Sequence, residues 1–312
     1  MNSEQLAFVF PGQGSQKVGM LAQIVDAFPV VKQTFAEASD ALGYDMWALI
    51  QQGPQEELNL TEKTQPILLA SSVALWRVWQ QKNGVQPSLL AGHSLGEFSA
   101  LVCAGAIGFA DAVKLVRARG QFMQTAVPVG QGAMAAVLGL EDAQLIQICE
   151  DASKDGGVVE AVNFNAPGQV VIAGTVAAVD RAIELCKAAG SKRALPLPVS
   201  APFHTSLMRP AGDKLQAAMA ELKFTAPSIP VVHNVHAQPE FDPEKIKAIL
   251  FEQIFSPVRW VQCVQYMGNK GITVAIECGP GKVLGGLIKR IDKNISSLSI
   301  EDCAGLDAAL AH

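Results

Sequence analysis

With 312 residues, 49% of them hydrophobic, and a formal net charge of −5, the chain can bury a large core, enough for two units at roughly 150 residues per domain. It lacks the basic surface that phosphate neutralisation needs. The opening MNSEQLAFVFPGQGSQ has no basic segment followed by a long apolar one, and no apolar run reaches the ~18 residues of a membrane span, so a cytoplasmic protein that engages neither nucleic acid nor membrane is expected.

The first strand is expected at 6–10 (LAFVF), and similar apolar runs recur at 88–93, 231–235, 273–277 and 295–300. None shows the alternation of a strand with one wet face, so each is expected to be buried on both faces of a largely parallel sheet. Helical segments separate them, which points to the α/β class. After the first strand comes PGQGSQKVG. Gly12-x-Gly14 there invites a dinucleotide loop, yet Lys17 stands in place of the third glycine and no P-loop lysine follows. Close backbone approach to a substrate oxygen is the better reading of these glycines.

The stretch 89–105, LLAGHSLGEFSALVCAG, passes from an apolar run through Gly-His-Ser-Leu-Gly into helical spacing. Gly-x-Ser-x-Gly between strand and helix is the nucleophile-elbow pattern: small residues permit a sharp turn that lifts the serine hydroxyl out at the helix start. Ser94 is the expected nucleophile. The N–H of Leu95, unpaired in the first helical turn, is placed to bind an oxyanion.

The next helix, 111–127 (DAVKLVRARGQFMQTAV), carries the most informative residue. At 100° per residue, Ala112, Val113, Leu115, Val116, Gly120, Phe122, Met123 and Val127 share one side, and Arg119 falls in the middle of it. Arg117 falls with Lys114 and Gln121 on the polar side and is expected to be solvated. An inward guanidinium needs an anion. Either an internal salt bridge supplies it, or a substrate carboxylate does, bound bidentately.

From 132 to 199 the pattern reads strand, helix, strand, strand, helix, strand, with an Ala-Pro-Gly turn at 166–168 between the two middle strands. This β-α-β-β-α-β order is ferredoxin-like. The Pro/Gly-rich AVPVGQG before it and LPLPVSAP after it read as the connections of an insertion. The expected division is a main domain of 1–130 and 200–312 with an inserted subdomain of 131–199, and the site is expected in the cleft between them.

A serine needs a base, usually histidine, and the chain has five. His93 precedes Ser94 and is expected to face the opposite side; His312 is the last residue; His233 and His236 lie on or just after a strand. His204, where the chain re-enters the main domain, is the favoured base. The hydrolase order Ser, Asp or Glu, then a late His is not met, because His204 has more than a hundred residues after it and no acid stands out. A serine nucleophile near a buried arginine describes an acyltransferase for a substrate with a free carboxylate at its far end; a serine esterase or thioesterase and a non-catalytic acyl-CoA-binding protein are the alternatives. No metal site is expected.

FVFPGQGSQ (8–16), GHSLGE (92–97), RGQFMQ (119–124), NAPGQVVIAG (165–174), SAPFH (200–204) and QIFSPVRW (253–260) together resemble the malonyl-CoA:acyl carrier protein transacylases along essentially the whole chain. The resemblance implies an α/β-hydrolase-like domain with a ferredoxin-like insertion and a Ser94–His204 dyad. It also implies an oxyanion hole from the N–H groups of Gln13 and Leu95, and a histidine oriented by the main-chain carbonyl of Gln253. Arg119 matches the arginine that pairs with the malonyl carboxylate, and His93 and Asn165 match positions near the site. It implies malonyl-CoA as donor, phosphopantetheine on a carrier protein as acceptor, and no permanently bound cofactor. Carrier proteins are generally acidic, so local positive charge is needed for docking. The candidates are Lys192, Arg193, Lys289 and Arg290.

Overall fold

The computed structural model of the chain describes residues 2–199 and 201–312; Met1 and Ser200, the first residue of the SAPFH stretch, lie outside the described residues. Its strands are β1 (Leu6–Phe10), β2 (Leu89–Gly92), β3 (Gly132–Leu138), β4 (Val159–Ala166), β5 (Gln169–Thr175), β6 (Arg193–Pro196), β7 (Val231–Val232), β8 (Val274–Glu277) and β9 (Ser296–Ser299). They form a five-stranded sheet of order β7-β2-β1-β8-β9 and a separate four-stranded sheet of order β4-β5-β3-β6. The pairs of the first are all parallel; those of the second are all antiparallel. The chain is thus a mixed α/β protein.

Burial on both faces explains the unpatterned runs. Along β1, Leu6, Phe8 and Phe10 point into a core that includes the helix Thr61–Gln81, while Ala7 and Val9 point into a second core with Trp260, Val264 and Leu284. The antiparallel sheet has its own core, in which Ala135, Val137, Val170 and Ile172 meet the helices Asp142–Ser153 and Val176–Ala188. Its other face presents Met134, Val162, Val171 and Ala173 to the first core. His93 and Ser94, which follow β2, and Met134 of β3 line a common cleft.

Two expected strands come out differently. The 231–235 run pairs only at Val231 and Val232, because His233 and Asn234 turn away to bond other partners. The 295–300 run forms the edge strand β9, whose residues are exposed or half-buried; its serines suit an edge better than an interior. Four of the six free cysteines are buried, whereas Cys103 and Cys303 are only half-buried.

Candidate active site

Ser94 caps the helix Leu95–Cys103 with φ 51° and ψ −106°, a left-handed backbone that a non-glycine residue adopts only when its surroundings over-determine it. Those surroundings are backbone. A Cβ on Gly92 would fall inside the main chain of Gly96, and one on Gly96 inside that of Phe10, so the two glycines of the pentapeptide let β1, β2 and the helix start meet. Asn234 then clamps the turn: its Oδ1 accepts from the Ser94 N–H at 2.8 Å and its Nδ2 donates to the Gly92 carbonyl at 2.7 Å.

His204 lies 2.8 Å from Ser94 Oγ through Nε2, and its Nδ1 lies 2.9 Å from the main-chain carbonyl of Gln253. A carbonyl only accepts, so Nδ1 carries the proton and Nε2 is free to take the serine's. His204 too has a positive φ, 64°. Burial, then the neighbouring Arg119 cation, push its pKa down to about 3. The imidazole is therefore neutral over the whole physiological range.

Arg119 points inward as the helical arc requires and has no exposed surface. Nη1 donates to Gln65 Oε1 at 2.9 Å, and Nη2 donates to Gln253 Oε1 at 2.8 Å and to Ser94 Oγ at 3.2 Å. Nε has no partner among the described residues. The Phe98 ring lies 5.3 Å from the guanidinium carbon. No carboxylate lies within ion-pair distance of Arg119 among the described residues; its oxygen partners are all neutral. Burial brings its pKa down to about 10, with Glu97 acting in the opposite direction, so it stays cationic at neutral pH. Arg117, expected to be solvated, is instead half-buried, with Nη1 donating to the Leu42 carbonyl at 3.3 Å.

Ser94 and His204 open onto a cleft of about 440 Å³ whose walls include Gln13, His93, Met123, Met134, Asn163, Pro198 and Phe203. It adjoins a groove of about 760 Å³ that shares Gln13, Asn59, Pro198, Val199 and Phe203. The backbone N–H groups of Gln13 and Leu95 have no protein acceptor among the described residues. His93 corrects the expectation that it faces away: it lines the same cleft. It is nonetheless no base for Ser94, because its Nε2 is committed to Asn165 Oδ1 at 2.7 Å. Asn165 thus holds His93, whereas Asn163 on the same strand lines the cleft with its Oδ1 unpartnered. The Gly12-x-Gly14 loop packs on the elbow itself: a Cβ on Gly12 would sit 2.6 Å from the His93 carbonyl oxygen.

A family model described as an acyl transferase domain matches residues 7–305. The malonyl CoA-acyl carrier protein transacylase of Salmonella typhimurium is 58% identical over 306 residues, which cover 98% of this chain and 99% of that protein. The chain is a member of the malonyl-CoA–acyl carrier protein transacylase family. Among solved structures, an acyl carrier protein S-malonyltransferase from Vibrio cholerae superposes with a TM-score of 0.96 at 60% identity, covering 97% of this chain and 99% of that one. A type II PKS acyl-carrier protein in complex with its malonyl-transacylase gives 0.97 at 55% identity, covering 98% and 99%.

Within this family member, sequence reasoning missed Gln65, Phe98, Glu97, Asn234 and the side chain of Gln253. The GHSLGE stretch contained Glu97, but nothing local signals its partners. Lys192, Arg193, Lys289 and Arg290 are all exposed. Arg290 is partly committed, since it donates to Gln169 Oε1 and, at 3.5 Å, to the Pro167 carbonyl in the β4–β5 turn. Among the described residues, no helix is long and apolar enough to cross a membrane, and no group of His, Cys, Asp or Glu side chains is placed to hold a metal ion.

Proposed function

We propose that this chain transfers the malonyl group from malonyl-CoA to the phosphopantetheine thiol of an acyl carrier protein through a malonyl ester on Ser94. The observation that carries this reading is the Ser94–His204 contact of 2.8 Å beside a fully buried Arg119 that touches the same hydroxyl. A dyad alone suits any acyl transfer; the buried cation selects an acyl group ending in a carboxylate. The names of the relatives and the carrier complex among the structural neighbours support the same donor and acceptor. Those names favour transfer to a thiol over the hydrolysis of an esterase.

In the first half-reaction His204 Nε2 takes the Ser94 proton as Oγ attacks the thioester carbon, and the N–H groups of Gln13 and Leu95 receive the oxyanion. The C–S bond then breaks, and the CoA sulfur leaves with the proton from His204. The carrier's thiol reverses these steps. The malonyl carboxylate takes over the guanidinium of Arg119, replacing its Nη2 contact with Ser94 Oγ as that oxygen becomes an ester. Gln253 orients His204 through its carbonyl, and His93 and Asn165 shape the wall.

We read the parallel sheet as α/β-hydrolase-like and residues 131–199 as a ferredoxin-like insertion into a main domain of 1–130 and 200–312, a reading supported by the order β4-β5-β3-β6. Six free thiols suit a cytoplasmic setting. Lys192, Arg193, Lys289 and Arg290 are the proposed docking charges for the carrier. Intact mass of the enzyme after malonyl-CoA should give one malonyl adduct that disappears on adding phosphopantetheinylated carrier protein, and Ser94→Ala should give none. An adduct on that variant, or one lost equally fast without carrier, contradicts the reading.

A further inference from the structure

Glu97 is a carboxylate without exposed surface on the third residue of the elbow helix, and the transfer steps above leave it without a task. A buried carboxylate is costly unless donors occupy its lone pairs. Glu97 has three: His233 Nδ1 at 2.7 Å on Oε1, and the Asn234 N–H and Gln253 Nε2, both at 2.9 Å, on Oε2. They come from the turn after β7 and from the end of the helix Pro243–Gln253. One side chain therefore fastens two distant segments to the helix that begins at the nucleophile.

Two of these donors lead to the site. Asn234 is the residue whose amide clamps the Ser94 turn. Gln253 is the residue whose Oε1 receives Arg119 Nη2. A carboxylate can only accept, so the amide nitrogen of Gln253 must face Glu97, and its oxygen is then left facing the guanidinium. Flipped, the amide would set N–H groups against N–H groups. The same nitrogen also donates to the Ser94 carbonyl at 3.1 Å.

We propose that Glu97 is the positioning residue for substrate selection: acting through the side-chain amide of Gln253, it holds the Arg119 guanidinium against Ser94 and thereby sets the preference for malonyl over acetyl thioesters. The inference rests on the reading of Arg119 as the partner of the malonyl carboxylate. Glu97 touches neither substrate nor reacting atoms. Its negative charge also opposes the loss of the Arg119 proton that burial favours, so charge and geometry act in one direction.

The test is the ratio of kcat/KM for malonyl-CoA to that for acetyl-CoA in wild type, Glu97→Ala, Glu97→Gln, Arg119→Ala and the Glu97→Ala/Arg119→Ala double variant. Glu97→Ala should lower the ratio about tenfold or more, and by less than about twofold once Arg119 is gone. Glu97→Gln should restore it to within about threefold of wild type: the new amide oxygen keeps the Asn234 and Gln253 donors, and its nitrogen donates to Nδ1 of the other His233 tautomer. If Arg119→Ala lowers the ratio while Glu97→Ala slows both thioesters equally, Glu97 is only structural and the proposal is overturned. If Arg119→Ala itself leaves the ratio unchanged, the carboxylate reading fails first. Should Glu97→Ala yield no folded protein, Glu97→Asp, which keeps a carboxylate but withdraws it from Gln253 by one methylene, should lower the ratio likewise; an unchanged ratio there also overturns the proposal.

Discussion

As the proposed base, His204 has to accept a proton at neutral pH while buried beside a guanidinium. Both surroundings disfavour its protonated form, burial first and Arg119 second, and together they push its pKa down to about 3. Because kcat/KM reports the free enzyme, the acylation rate with malonyl-CoA should stay within about twofold from pH 8 to pH 5. A fall with a midpoint near the ordinary histidine value of 6.5 would contradict this account. The same shift bears on stability: from 6.5 down to about 3 the unfolded imidazole binds a proton that the folded one does not, so the folded state loses stability as pH falls through that window. The meeting of Ser94, His204 and Arg119 was legible from sequence because each is marked locally, by an elbow, a re-entry loop or a helical arc. Gln65, Glu97, Asn234 and the Gln253 amide were not. They are polar groups inside apolar elements, and their meaning lies in hydrogen bonds that span 52 to 159 residues of sequence.

Strand ends are where this fold concentrates its chemistry, as expected for a parallel sheet. β1 leads into the Gln13 loop, β2 into Ser94, and β7 into His233 and Asn234. β7 was legible as a strand but not in length, since VVHNV carries an apolar pattern whose two central polar residues are spent on Glu97 and the elbow. The end of β8 shows a second such use. Glu277, almost fully buried, accepts from the N–H groups of Leu284 and Gly285 at 3.1 and 2.9 Å at the start of the helix Val283–Ile291. Burial raises its pKa from 4.5 to about 7 against the lowering effect of those N–H groups. Between these values the folded state holds a proton that the unfolded state has released, so this contribution is full below 4.5 and is lost as pH rises through 7. The stability of wild type relative to Glu277→Gln should therefore decrease from pH 5 to pH 8, measured by thermal melts of both proteins; His204 is common to both and cancels. A constant or increasing difference would refute the cap's titration.

At the scale of the whole molecule, the separate parallel and antiparallel sheets match the change in helix-strand alternation that the sequence shows between 132 and 199. The packing of one face of the antiparallel sheet on the main core was not legible, since Met134, Val162 and Val171 give no sign in sequence of which neighbour they meet. The net charge of −5 sets a long-range barrier to an acidic carrier that local cations must offset. The Lys192→Glu/Lys289→Glu variant should raise the KM for carrier protein roughly tenfold at low salt, with the difference shrinking as ionic strength rises; the half-reaction with malonyl-CoA should change far less. An unchanged carrier KM would move docking elsewhere. A buried cation beside an activated serine is proposed to select a carboxylate-bearing acyl group. The most direct measurement is kcat/KM for malonyl-CoA against acetyl-CoA in wild type and Arg119→Ala: the preference for malonyl should collapse by about a thousandfold or more, and an undiminished preference would rule out Arg119 as the selecting group.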